Sequence, residues 1–105
     1  MPAARRGEIW LVDLGMVQKT RPVVVLSVAF LDHERAVVTY VPRTTLLRKA
    51  RFEVPHAARG FEPGAFDAQG LGGVPVTKLI RQLGSLDSVT LRSVEIAVES
   101  WLGLG

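Results

Sequence analysis

Apolar residues in this chain fall mostly in short runs, and the pattern within each run predicts β-strands. The first run, Gly7 to Leu14, is apolar at adjacent positions rather than alternate ones, so a strand there should be covered on both faces. Later runs are rich in β-branched residues and are separated by glycine, proline or polar residues, which is typical of strands and turns. The predicted strands are Gly7–Leu14, Pro22–Ser27, Ala36–Val41 (or from Arg35), Arg51–Val54, Ala65–Gln69 and Lys78–Leu83.

The last apolar stretch, Val89–Leu102, has the period of a helix. Asp87 or Ser88 is suited to begin this helix and Gly103 to end it. At roughly 100° per residue, five apolar residues share one helix face. They are Leu91, Val94, Val98, Trp101 and Leu102. Several short strands followed by one helix predict a mainly β fold, either a small barrel or a strongly curved antiparallel sheet with the helix packed against it.

Length and composition limit the classes of protein. The 105 residues predict a single domain, residues 1–105, without room for a second core. Hydrophobic residues make up 48% and charged residues 22%, which excludes a disordered chain. The chain has no cysteine, so neither a disulfide framework nor a thiolate metal site is available. No apolar run approaches the ~18–20 residues that cross a bilayer, and no signal core follows the basic N-terminus, so we expect a cytoplasmic protein.

The net charge of +3 favours an anionic partner only weakly, but the positions of the cations are more informative than their number. Four cations lie between residues 43 and 51 without an intervening acid, and Lys78 and Arg81 follow later. This clustering favours a basic surface on one side of the protein. Ordinary solvated charge explains any single cluster equally well.

Several catalytic motifs are absent. The sequence has no glycine loop ending in Lys-Ser/Thr and no serine in a strand–turn–helix glycine context. His33 and His56 lie in predicted loops without a second ligand at metal-binding spacing. An enzyme with this sequence would therefore work without metal, cofactor or covalent nucleophile. RNA cleavage meets that condition, because the substrate's 2′-hydroxyl attacks the adjacent phosphate and the protein supplies positioning, proton transfer and positive charge.

Arg21 and Thr44 are the candidates for that chemistry. Pro22 fixes its own φ and pushes Arg21 towards an extended conformation, so the guanidinium leaves the strand in a restricted direction. A forked, permanently charged donor suits a phosphate. Thr44 follows a strand that Pro42 is predicted to end, so both residues lie where a strand gives way to a loop. Taken singly, Arg21 could equally be a surface ion-pair partner and Thr44 a turn residue.

The sequence resembles the MazF/PemK toxin family over most of its length. The resemblance is carried by an Arg-Gly-Glu opening in Arg6–Leu14, an Arg-Pro-led apolar strand in Lys19–Ser27 and the Pro-x-Thr-Thr element of Val38–Thr45. It resumes at Lys78–Gly84 and in the closing helix that ends Trp101-Leu102-Gly103-Leu104.

This resemblance implies an SH3-like, barrel-type homodimer that cuts single-stranded RNA at short sequences and is covered by a cognate antitoxin protein. It also implies a catalytic pair that matches Arg21 and Thr44, with Thr45 as the alternative to Thr44. The expected products are a 2′,3′-cyclic phosphate and a 5′-hydroxyl, formed without a metal. The residues expected to contact RNA are Gln18, Lys19, Arg43, Thr45, Arg48, Lys78 and Arg81.

Two departures from the family bear on sequence preference rather than on chemistry. The loop Gly15–Thr20 is shorter than in many members, and Thr77-Lys78 stands where many have Asp-Gln. The cut site is therefore not predicted.

Two other functions remain open from the sequence. One is a toxin of the same fold that inhibits DNA gyrase by protein contact, and the other is a passive SH3-like module that binds nucleic acid. The apolar pair Val89 and Ile96, on the far side of the helix, keeps the first alternative open. The same surface, together with Trp10 and Val12, predicts a homodimer, because a monomer would expose too much apolar area.

Overall fold

A computed structural model describes residues 4–15, 17 and 19–105 of the protein. The elements are β1 (Glu8–Asp13), β2 (Thr20–Val25), β3 (Val37–Thr44), β4 (Glu53–His56), β5 (Gly64–Asp67), β6 (Gly72–Pro75), β7 (Leu79–Ser85) and α1 (Ser88–Leu102). Single 3₁₀ turns at Ala68–Gly70 and Val76–Lys78 flank β6. None of the helices in the described part of the chain is long and apolar enough to span a membrane.

The strands form one antiparallel sheet in the order β4-β5-β3-β2-β1-β7, and β6 pairs with the first half of β3. The predicted mainly β class with a C-terminal helix is therefore confirmed. The sheet does not close into a barrel. Within the described residues, β4 and β7 form the two ends of the sheet and do not pair with each other.

Side chains on the two faces of β1 and β2 enter two different apolar clusters. Val12 and Val23 pack on one face with Trp10 and Tyr40. Ile9 and Val24, which pair across the strands, face the other way and pack with Val94 of α1 and other buried side chains. Both faces of these strands are thus covered, as the unbroken apolar pattern predicted.

The helix ends at Leu102 as predicted and begins at Ser88, one residue before the predicted Val89. Asp87 is the N-cap, and its carboxylate accepts a hydrogen bond from the Thr90 N–H at 3.1 Å. Hydrogen bonds to the Asp87 carboxylate, chiefly those from Thr90, lower the pKa of Asp87. Gly103 ends the helix with a φ of 71°, a left-handed conformation that favours glycine. Trp101 and Leu102, predicted on the packed face, remain 43% and 49% exposed.

The structure corrects three other expectations. β3 continues through Pro42 to Thr44 instead of ending at Val41, so Thr44 is the last strand residue. β6 was not predicted, because two of its four residues are glycines. Trp10 and Val12 are buried within the chain, so they do not support a dimer. The helix pair Val89 and Ile96 is exposed as expected, and other exposed apolar residues include Ile80, Trp101 and Leu104.

Candidate active site

An opening between β2 and β3 begins where their hydrogen-bond ladder stops. The last pair of the ladder is Val23 with Pro42, and the next would join Pro22 to Arg43. Proline has no backbone N–H, so Pro22 cannot donate a ladder hydrogen bond at that position. The β2–β3 ladder therefore ends at the pair Val23–Pro42, and Pro22 cannot extend it as a donor.

Arg21 and Thr44 line a single cleft at this opening. Continuing the same register two residues beyond Val23 and Pro42 aligns Arg21 with Thr44. The cleft, here called the Arg21 cleft, has a volume of about 270 Å³. Its lining residues are Thr20, Arg21, Pro22, Arg43, Thr44, Thr45 and Leu46. The cation and the alcohol selected from the sequence, far apart in the chain, thus come together.

The Thr44 hydroxyl is oriented by the turn that follows it. Its Oγ1 accepts a hydrogen bond from the Leu46 N–H at 3.0 Å, which occupies one oxygen lone pair. The only acceptor for its proton among the described residues is the Leu46 carbonyl at 3.5 Å, a distance too long for a strong bond. The hydroxyl proton is therefore available to a group that enters the cleft.

Arg43 has a different position from the one predicted, because its side chain is buried rather than on the surface. It is 5% exposed, and its guanidinium donates to His56 Nδ1 at 2.8 Å, to the His56 carbonyl at 2.9 Å and to the Glu62 carbonyl. It also lies 5.0 Å from the centre of the Phe61 ring. Burial lowers the pKa of Arg43, and the nearby Glu62 carboxylate opposes that effect. Arg43 is thus a structural group that joins the end of β3 to the loop after β4, not a surface cation that follows RNA.

His56, at the end of β4, must be neutral to accept the hydrogen bond from Arg43. Its ring packs against Phe61 and Phe66, with centroid distances of 5.2 Å and 5.0 Å. Burial lowers the pKa of His56, the Arg43 charge lowers it further, and Asp87 acts in the opposite direction. The fold therefore favours the unprotonated imidazole.

A pH dependence of stability follows from this lowered pKa. The folded pKa of His56 lies below the unfolded value of about 6.5, so the stabilisation is complete above that pH and is lost as the pH falls below it. We expect the free energy of unfolding to fall between pH 7 and 5, and to fall less in His56→Gln, whose amide oxygen can still accept from Arg43. Chemical denaturation at each pH measures this. His33→Gln, in an exposed loop, is the control; identical profiles for wild type and His56→Gln would contradict the prediction.

A second, larger cleft adjoins the first and shares Pro22, Arg43 and Thr45 with it. This Arg59 cleft has a volume of about 480 Å³, within the range of small-molecule sites. It lies between β7 and the loop that follows β4. Its lining residues are Pro22, Arg43, Thr45, Arg59, Gly60, Phe61, Glu62, Arg81, Gln82 and Leu83.

The remaining residues predicted to contact RNA fall into three groups. Thr45 lines both clefts and Arg81 lines the Arg59 cleft, and both side chains are exposed. Lys19 and Arg48 are exposed in the loops before β2 and after β3. Lys78 lines another cleft, of about 340 Å³, that shares no lining residue with the other two. Gln18 lies outside the described residues.

Sequence reasoning missed Arg59, Gln82 and the role of His56. Arg59 belongs to the loop between β4 and β5, and no sequence motif singles out the residue. His56 was considered only as a metal ligand. Among the residues that the structure describes, no group of three or more His, Cys, Asp or Glu side chains is arranged to hold a metal ion.

The fold is shared with proteins of known structure, among them MazF toxins. A Mycobacterium tuberculosis toxin, MazF-mt6, is 28% identical and superposes with a TM-score of 0.80 over 93% of this chain and 98% of its own. A MazE–MazF structure from Deinococcus radiodurans has a TM-score of 0.84 at 20% identity, over the whole of both chains. An endoribonuclease in complex with its cognate antitoxin, from a mycobacterial species, has a TM-score of 0.80 at 24% identity, over 100% of this chain and 98% of its own.

The sequence itself decides the family. The model of the PemK-like, MazF-like toxins of type II toxin–antitoxin systems matches residues 5–102. The chain therefore belongs to this family and is a toxin with endoribonuclease activity.

Proposed function

We propose that this toxin cuts single-stranded RNA in the Arg21 cleft, with Arg21 and Thr44 as the catalytic residues. The observation that supports this most directly is the shared cleft, in which a forked cation and an oriented hydroxyl border one opening. A bridging phosphate of RNA carries oxygens that both groups can bind. Thr45, on the wall common to both clefts, is the alternative to Thr44.

In the proposed reaction, the 2′-hydroxyl loses its proton as its oxygen bonds to phosphorus. The bond from phosphorus to the 5′-oxygen breaks, and that oxygen gains a proton. Negative charge increases on the non-bridging oxygens in the transition state. Arg21 stabilises this charge and Thr44 donates a hydrogen bond to one of these oxygens, so both interactions strengthen as the reaction proceeds. The products are a 2′,3′-cyclic phosphate and a 5′-hydroxyl.

The biological setting follows from the family. We propose a cognate antitoxin protein that covers the clefts, by analogy with the mycobacterial endoribonuclease complex and the MazE–MazF structure. We also propose that residues 1–105 act as one domain and that two copies form a homodimer. Exposed apolar side chains such as Ile80, Ile96 and Leu104 are available for that contact. An mRNA substrate implies action in the cytoplasm.

The test is cleavage of mixed single-stranded RNA in EDTA, with both ends of every product mapped. We expect unchanged rates with and without the chelator, because the proposed reaction uses protein cations and the substrate's own nucleophile. The matched control is an oligonucleotide with 2′-deoxyribose at the mapped cut, which should stay intact. Gyrase inhibition without RNA cleavage, or salt-sensitive binding without cleavage, would reject the proposal in favour of the two alternative functions.

A further inference from the structure

The Arg59 cleft has the composition of a nucleotide subsite, and the reaction proposed above does not use it. Resting on that proposed function, we propose that this cleft binds a nucleotide next to the scissile linkage, with Arg59 and Arg81 holding its phosphate. The shared residues Pro22, Arg43 and Thr45 make the two clefts neighbours, so a strand that enters one can continue into the other. The volume of about 480 Å³ leaves room for a base and sugar as well as a phosphate.

The two arginines are available for a ligand. Both are exposed, Arg59 on the loop after β4 and Arg81 on β7. Neither takes part in the ion pairs formed among the described residues, which involve Arg6 and Arg92. Two guanidinium groups from different elements of the fold, facing one cleft, suit a phosphate that both can contact.

The rest of the cleft suits the other parts of a nucleotide. Glu62 also lines this cleft. A carboxylate repels a phosphate but can accept hydrogen bonds from amino groups on a base edge. Gln82 is held by its Nε2, which donates to the Gly84 carbonyl at 3.2 Å. We therefore assign the phosphate to the arginines and the base to the side of Glu62.

The buried side chain of Arg43 holds the loop that carries Arg59. Arg43 donates to the carbonyl of Glu62, three residues after Arg59, and its guanidinium lies 5.0 Å from the centre of the ring of Phe61, two residues after Arg59. Arg43 also directly precedes Thr44 in β3. One buried side chain therefore couples the position of the loop to that of the proposed catalytic hydroxyl, and the distance between the two subsites is set before RNA binds.

The test is a double-substitution cycle between protein and RNA. The probe is a short single-stranded oligonucleotide that spans a mapped cut, with 2′-deoxyribose at the attacking position so that it binds without being cleaved. Each flanking linkage is replaced in turn by an uncharged methylphosphonate. Dissociation constants are measured for wild type, Arg59→Ala and Arg81→Ala, with Arg35→Ala as the control, since Arg35 is an exposed arginine outside both clefts.

For wild type and Arg35→Ala, we expect one neutral linkage to weaken binding about tenfold or more, as for loss of a hydrogen bond to a charged group. For Arg59→Ala and Arg81→Ala, the same replacement should weaken binding by less than about threefold, because the contact is already lost. The slope of log Kd against log salt should fall by about 0.7 in each variant. If the protein substitution and the neutral linkage weakened binding additively at both flanking linkages, the proposed subsite would be overturned. A wild type that binds but never cuts the all-ribose oligonucleotide would instead overturn the proposed function, so the two failures are distinguishable.

Discussion

Arg21→Ala should abolish most RNA cleavage while the protein remains folded. Arg21 is partly buried at the second position of β2 and borders the cleft that also contains Thr44. Removing one preorganised donor to a charged transition state typically lowers kcat by about 10²–10³-fold. The fork of Arg21 provides two donors to one phosphate, so we expect the upper end of that range or beyond. Initial rates on a defined RNA that contains one mapped cut measure the loss.

Two further variants make this prediction specific. Arg21→Lys keeps the positive charge but loses the planar fork, so its rate should lie between those of wild type and Arg21→Ala. Thr44→Val keeps the shape of the side chain and removes the hydroxyl, so it should also slow cleavage strongly. Arg35→Ala, with an exposed arginine far from the cleft in sequence, should cut like wild type. Robust cleavage by an Arg21→Ala protein would refute the assignment of the catalytic pair.

Gly64→Ala should have the largest effect on stability of any single methyl group added near the site. A Cβ at position 64 would lie 2.5 Å from the Thr44 carbonyl oxygen and 2.8 Å from an Arg43 Nη atom. The carbonyl belongs to the backbone and the guanidinium is held by three hydrogen bonds, so neither can move without breaking contacts. Overpacking of this kind costs about 2–3 kcal/mol. For a domain of this size Tm should fall by roughly 10–20 °C.

The same substitution should impair cleavage, because the end of β3 must shift to admit the methyl group. The matched control is Gly73→Ala, also a strand glycine, whose Cβ would meet only the Val38 carbonyl oxygen at an ordinary 3.5 Å. That variant should change stability by no more than about 0.5 kcal/mol, as for most surface substitutions. Thermal unfolding and single-turnover cleavage of both variants test the pair. A Gly64→Ala protein with wild-type Tm would show that the end of β3 is not rigidly held.

Much of the fold could be predicted because its signals are local. The cap at Asp87, the stop at Gly103 and the continuous apolar pattern of β1 each depend on residues close together in the sequence. β6 could not be predicted in this way. Its glycines have no intrinsic strand preference, and it forms because β3 offers an unpaired edge from Val37 to Tyr40.

In the candidate site, too, the residues with local sequence signals could be predicted and those that depend on distant contacts could not. Arg21 and Thr44 were selected because each lies close to a proline where a strand gives way to a loop, and the resemblance to a known family matched both residues. Arg43 was misassigned because a sequence shows its charge but not the acceptors at His56 and Glu62 that draw it inward. Arg59 was missed since its importance depends on a neighbour, Arg81, that only the folded chain brings close.

The missing amide hydrogen of Pro22 has a consequence for access to the site. A β-sheet tends to extend its ladder wherever two strands run side by side with donors and acceptors free. A residue with an amide hydrogen at position 22 could add a hydrogen bond between β2 and β3. The two strands would then pair closer to Thr44, and the entrance to the Arg21 cleft would be narrower for an RNA strand. Proline at position 22 therefore favours an open cleft, because it removes a hydrogen bond that would extend the β2–β3 ladder beyond Val23.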